Sequence, residues 1–354
     1  MSRRGLTFTL AGVLLAGLII LASVLPVPYI VLVPGPVTDT LGSVPGTSTP
    51  VVSVQGAQTY PTSGHVYLTT VGVLPGSCDQ HPTLFTALKA WFNSEQAVEP
   101  HQVQCPPGES GAKVQQSNEL DMSNSQRNAI TAALLYLHYK PKSEQIVVTD
   151  VTSNVPASKV LQSGDQIKKI NGQPITDIES VHRLIEAVKP GDSLAMTIQR
   201  NGSIQEVTVR TYEATDGTHR TLIGVELGLT ATFDKPHVKI GIDPAKVGGP
   251  SAGLAFALGI VDELTPGDLT GGKTVAVTGT IDGLGNVGPI GGIQQKIAGA
   301  KDNGASVFLA PASECPDARA AAPSSMIVVK VSTLTGALDA LHAITSGTGS
   351  YPRC

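Results

Sequence analysis

Residues 274–305, TVAVTGTIDGLGNVGPIGGIQQKIAGAKDNGA, decide the fold of the last third of the chain. Residues 274–281 are an apolar, β-branched run of strand length. The glycine-rich turn DGLGNVGPIGG follows, and then the periodicity becomes helical. Ile293, Ile297 and Ala300 fall on one helical face, and Lys296 shares that stripe. A lysine so placed either extends its ammonium to solvent or is buried. Burial lowers its pKa, and a neutral amine can take the proton of a serine hydroxyl. Moving the pKa from about 10.4 to about 7–8 takes roughly 3–4 kcal/mol, which an apolar pocket can supply.

Upstream lies the serine that such a lysine requires. Residues 247–253, VGGPSAG, run straight into the apolar helix pattern of residues 254–261, with Leu254, Leu258 and Val261 on one face. Pro250 suits a first helical turn because it needs no N–H there. Ser251 is thus expected at a helix N-terminus, where the backbone N–H groups of Ser251 and Ala252 could hold an oxyanion. An N-capping serine after a glycine loop is the plainer reading of this stretch alone. No histidine falls in a triad motif and no GxSxG elbow occurs. Residues 267–274, GDLTGGKT, fit the phosphate-loop pattern, but they leave a helix and open a strand, the reverse of what a nucleotide loop needs. No ATP site is expected.

GGPSAGLAFALGIVDELT (residues 248–265), VAVTGTIDGLGNVGPIGGIQQKIAGAKDNGASVFLAP (residues 275–311) and the distance between them resemble the proteolytic domain of Lon-type peptidases, over about 120 residues. The resemblance implies that Ser251 is the nucleophile, Lys296 the base and Thr278 the support of that lysine. It also implies an α/β domain and a tendency to form homo-oligomers. Gly248 departs from the pattern, because ATP-dependent Lon enzymes often carry an acid beside this loop.

Residues 144–212 are a β-rich unit with one helix. A strand over residues 146–151 leads to the Pro156-Ala157 turn and a strand over 166–170. The hairpin signal Asn171-Gly172 comes next, then a capping box at Thr176-Asp177-Ile178-Glu179. The helix carries Ile178, Val181, Ile185 and Val188 inward, and strands over 193–200 and 204–211 follow. The stretches "PA…GD.I..ING" and "PGDSLAMTIQRNG" resemble a bacterial PDZ domain, which implies binding of an extended peptide as an added strand. No GLGF-like carboxylate loop precedes Ile146, so an internal segment or an intramolecular role stays open, as does a spacer.

At the other end, Ser2-Arg3-Arg4 precedes an uncharged stretch over residues 6–36, whose densest part, residues 8–25, is about 18 residues long. Arginines before the span place the N-terminus in the cytoplasm and the remaining domains outside it. A cleaved signal peptide, with Leu21-Ala22-Ser23 near its end, is the competing reading. Cys78, Cys105, Cys315 and Cys354 fit an exported chain with two disulfides, and proximity favours Cys78–Cys105 and Cys315–Cys354. Residues 37–75 are a β-rich region and 76–121 are irregular and polar. Residues 123–139 are a helix with Ile130, Ala133, Leu134 and Leu137 on one face.

A formal net charge of −4 and 4% aromatic residues argue against a nucleic-acid partner. No CxxC or histidine cluster points to a metal, and no cofactor is expected. The expected fold is multidomain α+β. It comprises a cytoplasmic tip with a transmembrane signal-anchor (1–36), a β-rich juxtamembrane region with a helix (37–143), a PDZ domain (144–215), an α/β Lon-type domain (220–345) and a tail (346–354). The expected activity is ATP-independent cleavage of unstructured or exported polypeptides by a membrane-anchored serine endopeptidase. The alternative is a catalytically silent PDZ adaptor at the cell envelope. The whole arrangement resembles bacterial membrane-anchored PDZ–Lon proteins.

Overall fold

The computed structural model describes residues 3–215 and 217–354, with side chains from residue 7 onward. Helix α1 (Arg3–Val24) contains the apolar segment Thr7–Val24, of mean hydropathy 2.3, none of it buried. Met1, Ser2 and the side chains of Arg3 and Arg4, on which the orientation argument depends, lie outside the described residues. Strand β1 (Tyr29–Asp39) follows closely, so the boundary expected at residue 36 moves back. Its Ile30, Val31 and Leu32 are buried in the core, which explains why the apolar stretch outlasts the helix.

Next come β2 (Val52–Gln55), β3 (His65–Leu74), helix α2 (Leu84–Trp91) and β4 (Ala97–Pro100). The region expected to be irregular therefore holds a helix and a strand. Helix α3 (Gly111–Tyr136) begins well before residue 123, where periodicity would start it, and Ser110 caps it by accepting from the Lys113 N–H. Its first half lacks an apolar stripe and is held by contacts with the serine loop described below. In its second half Ala133 and Leu134 are fully buried.

The PDZ-like unit consists of β5 (Ser143–Val151), β6 (Gln166–Ile170), α4 (Ile178–Glu186), β7 (Ser193–Arg200), β8 (Ser203–Arg210) and β9 (Val225–Thr232). These strands lie in the order β9-β5-β6-β7-β8. Strand β9 lies beyond the boundary drawn at residue 215, yet it pairs with β5 along their whole length, so the unit extends to residue 232. Asp177 caps α4, with Ser180 as its reciprocal partner in place of the acid expected there. Val181 and Ile185 point into the core with Leu194, Met196 and Ile198 of β7.

The remainder is β10 (His237–Ile240), α5 (Gly253–Leu264), β11 (Thr274–Val277), α6 (Ile293–Asp302), β12 (Val307–Pro311), α7 (Cys315–Ala321), β13 (Ile327–Val331) and α8 (Leu334–Ser346). A six-stranded sheet, β13-β12-β11-β3-β1-β4, joins this region to residues 29–100. Strands β3, β11, β12 and β13 run parallel, while β1 runs antiparallel to both β3 and β4. Strand β10 pairs with β2. The separate juxtamembrane domain drawn over 37–143 is thus merged with the C-terminal region, and the PDZ-like unit is inserted between α3 and β10.

Strand alternation gives the sheet two buried faces. Val275, Val277, Val307, Leu309, Val329 and Val331 pack with α3, α5 and α8. Ala276, Phe308, Ala310 and Val328 pack with α6 and α7. The sulfurs of Cys78 and Cys105 lie 1.98 Å apart, and those of Cys315 and Cys354 lie 2.04 Å apart.

Candidate active site

The site lies just past the carboxyl end of β11, where helices from opposite faces of the sheet reach the same strand. Gly279 follows the strand at φ +154°, a value that L side chains rarely adopt. Its N–H donates to the Ser251 carbonyl at 3.0 Å, and its own carbonyl accepts from the Leu254 N–H at 3.2 Å. These two bonds fix the serine loop against the strand end. Thr278, fully buried, donates its hydroxyl to the Ser251 carbonyl at 3.3 Å.

Helix α5 begins at Gly253, so Pro250 and Ser251 precede the helix and do not occupy its first turn. The Leu254 N–H, which would donate to the Pro250 carbonyl in a longer helix, is engaged by Gly279 instead. The loop is held from the other side by α3. The N–H of Gly249, a residue at φ +83°, donates to the Asn118 carbonyl at 2.9 Å, and the Ser125 hydroxyl donates to the Pro250 carbonyl at 2.8 Å. A Cβ at Gly248 would meet that of Asn118 at 2.8 Å, so an acid at this position has no room here.

Helix α6 supplies the lysine. Gly292 caps its start at φ +66°, packed so closely that a Cβ would lie 2.5 Å from Val71 Cγ2. One turn on, Lys296 is 2% exposed, and Ile293, Ile297 and Ala300 flank it on the buried stripe. Its Nζ lies 2.8 Å from Ser251 Oγ and 2.9 Å from Thr278 Oγ1. Burial pushes the amine down to about 7, against the charge of Glu314, which raises it. Ser251 itself is half-buried.

Ser251, Thr278 and Lys296 are thus brought together. Among the described residues, the backbone N–H groups of Ser251 and Ala252 donate to no backbone carbonyl. The loop over residues 267–273 joins α5 to β11, and no helix follows it. Sequence reasoning missed Asn118, Ser125 and Glu314. The first two act through α3, whose start carries no apolar period, and the third acts only as a nearby charge. Beside the serine loop, a cleft of about 870 Å³ opens between the two lobes, lined by Pro250, Ile281, Gly288, Asp121, Asp150 and Glu226 among others.

The sequence profile of the PDZ domain matches residues 118–211. A Lon protease of Rickettsia bellii is 29% identical over 192 residues, covering 53% of this chain and 24% of that protein. One from Roseiflexus castenholzii is 28% identical over 164 residues, covering 46% and 20%. A solved PDZ domain of an SdrC-like protein from Listeria monocytogenes is 24% identical and covers 25% of this chain and 92% of its own, with a TM-score of 0.23. The chain contains a PDZ domain and is homologous to Lon proteases over about half its length. It spans about a quarter of the length of those relatives.

Proposed function

We propose that this protein is an ATP-independent, membrane-anchored serine endopeptidase in which Ser251 is the nucleophile and Lys296 the general base. The observation that carries the reading is the buried Lys296 amine 2.8 Å from the Ser251 hydroxyl. The Lon homology supports peptidase chemistry independently.

In the proposed reaction, Ser251 Oγ attacks the scissile carbonyl carbon while its proton passes to the neutral Lys296 amine. The backbone N–H groups of Ser251 and Ala252 hold the oxyanion. Lys296 returns the proton to the leaving nitrogen as the C–N bond breaks, leaving an acyl ester on Ser251. Water then loses a proton to Lys296 and attacks the ester carbon. As the bond to Ser251 Oγ breaks, Lys296 returns that proton to Oγ, releasing the acid and restoring the serine and the neutral amine. Thr278 orients the amine. Helix α1 serves as a single anchor with the domains outside the cytoplasm, and the PDZ module presents polypeptide to the cleft.

A fluorogenic peptide assay on the full chain in detergent tests the reading, with melting curves to check folding. Ser251→Ala and Lys296→Ala should each abolish hydrolysis, and the double variant should lose no more than either, because both remove one functional unit. Lys296→Arg should fail too, since guanidinium keeps its proton. Thr278→Val should retain intermediate turnover. Activity in folded Lys296→Ala would end the proposal, and an inactive wild type across diverse unstructured substrates would favour a silent adaptor.

A further inference from the structure

Helix α2 is built with its faces exchanged. Ala87 and Ala90 point into the fold, while Phe85, Leu88, Trp91 and the following Phe92 are 49%, 47%, 71% and 86% exposed. Burying alanines and exposing four large apolar side chains is unfavourable in water and marks a surface that meets something apolar. Nearby, Tyr29 at the start of β1 and Leu74 at the end of β3 are also exposed.

The position of this patch identifies what meets it. The Leu84 N–H donates to the Leu25 carbonyl at 2.8 Å, the Val27 N–H donates to the Pro82 carbonyl at 3.0 Å, and Pro26 bridges to Thr83. The first turn of α2 is therefore tied to the end of the apolar helix α1. The Cys78–Cys105 bond closes the segment that carries α2. At the far side, Lys301 of α6 pairs with Glu95 at 2.6 Å. The patch is thus tied to the end of α1, and a surface ion pair links the segment after it to the helix that holds Lys296.

We infer that α2 rests in the headgroup region of a lipid bilayer, making a second, side-on membrane contact. The inference builds on the reading of α1 as a membrane span. If α1 crosses the bilayer, α2 starts level with its end. Tryptophan and tyrosine favour that interface, with an apolar ring body and a polar tip, and Lys89 can reach the phosphates. The contact would fix the tilt and height of the Lys296 helix above the membrane.

The experiment uses the full chain in phosphatidylcholine–phosphatidylglycerol vesicles. Trp91 is the single tryptophan, so its emission reports this patch alone. Lipids brominated near the carbonyl end of the acyl chain should remove more than half of that emission. Lipids brominated near the terminal methyl should remove less. Replacing Phe85, Leu88 and Phe92 by serine together should weaken the quenching while leaving the circular dichroism unchanged. Alkaline carbonate extraction, run in parallel, tests α1 separately. Retained protein with unquenched Trp91 would overturn the contact and leave the span standing. Released protein would overturn the span, and the quenching before extraction would still decide the contact. Trp91 shielded from both brominated lipid and aqueous acrylamide would mean that a second copy covers the patch, and the inference would fail.

Discussion

Lys296 has two hydroxyl groups, those of Ser251 and Thr278, where an exposed lysine would have water. Its amine titrates at about 7 when folded, against 10.5 for an ordinary lysine. Below 7 both the folded and the unfolded chain carry the proton, and the folded state bears the full burden of a buried charge. Between 7 and 10.5 unfolding takes up a proton, so stability rises with pH through that window. Lys296→Met should therefore melt several degrees above wild type near pH 6, and the difference should shrink towards pH 10. Equal differences at both pH values would contradict the depressed pKa. Turnover follows the same group: kcat should rise as pH passes through about 7 and level off above it, because only the neutral amine accepts the serine proton. A profile flat from pH 5 to 9 would count against Lys296 as base. The pairing of Ser251 with Lys296 was legible because each residue interrupts a pattern, one a glycine loop and the other an apolar stripe. Glu314 interrupts nothing in the sequence, so its electrostatic influence emerges only from the folded arrangement.

Among the elements, those with strong periodicity came out close to expectation. Strand β7 matches its expected span, and α4 ends two residues short of Val188. Helix α3 was half missed because residues 111–122 carry no apolar stripe, and their reason for being helical is tertiary: α3 holds the serine loop through Asn118 and Ser125. The expected strand over residues 274–281 breaks after Val277, since the backbone at Gly279 turns to place Thr278 and Ser251 together. Pairing resumes only where Thr280 and Ile281 meet Gly288 and Val287. Helix α6 offers the sharpest test at this scale. Gly292→Ala would demand a left-handed backbone from alanine and push a methyl group to 2.5 Å from Val71 Cγ2. It should cost about 1–3 kcal/mol of stability. It should also lower kcat in the folded fraction, by displacing Lys296 one turn away. Unaltered kcat and melting temperature would show that the start of α6 is pliant.

For the whole molecule, domain order was legible but domain membership was not. Residues 37–75 read as a small separate region because short β-branched runs alternate there with turns, and nothing local reveals a partner far along the chain. Strand β3 pairs with β11 in the register His65↔Thr274. The lobes meet closely at Gly283, where a Cβ would overlap the Leu229 carbonyl oxygen of β9. Gly283→Ala should therefore push the PDZ lobe outward. The expected result is weaker protection from hydrogen exchange in β9, whose Ala231 N–H donates to the Thr131 hydroxyl of α3 at 3.1 Å, with the packing of α6 on the sheet unchanged. Unchanged exchange in β9 would indicate that the lobes already move apart freely.

The PDZ lobe leaves and re-enters the rest of the chain at one point: the Lys142 N–H donates to the Thr232 carbonyl at 2.8 Å, and Ser143 pairs with Thr232. A short turn from Lys142 to Phe233 could bridge that gap. The lobe is therefore an insertion with adjacent ends, and a foreign domain whose ends lie equally close could be spliced in there without recutting the sheet that positions Lys296.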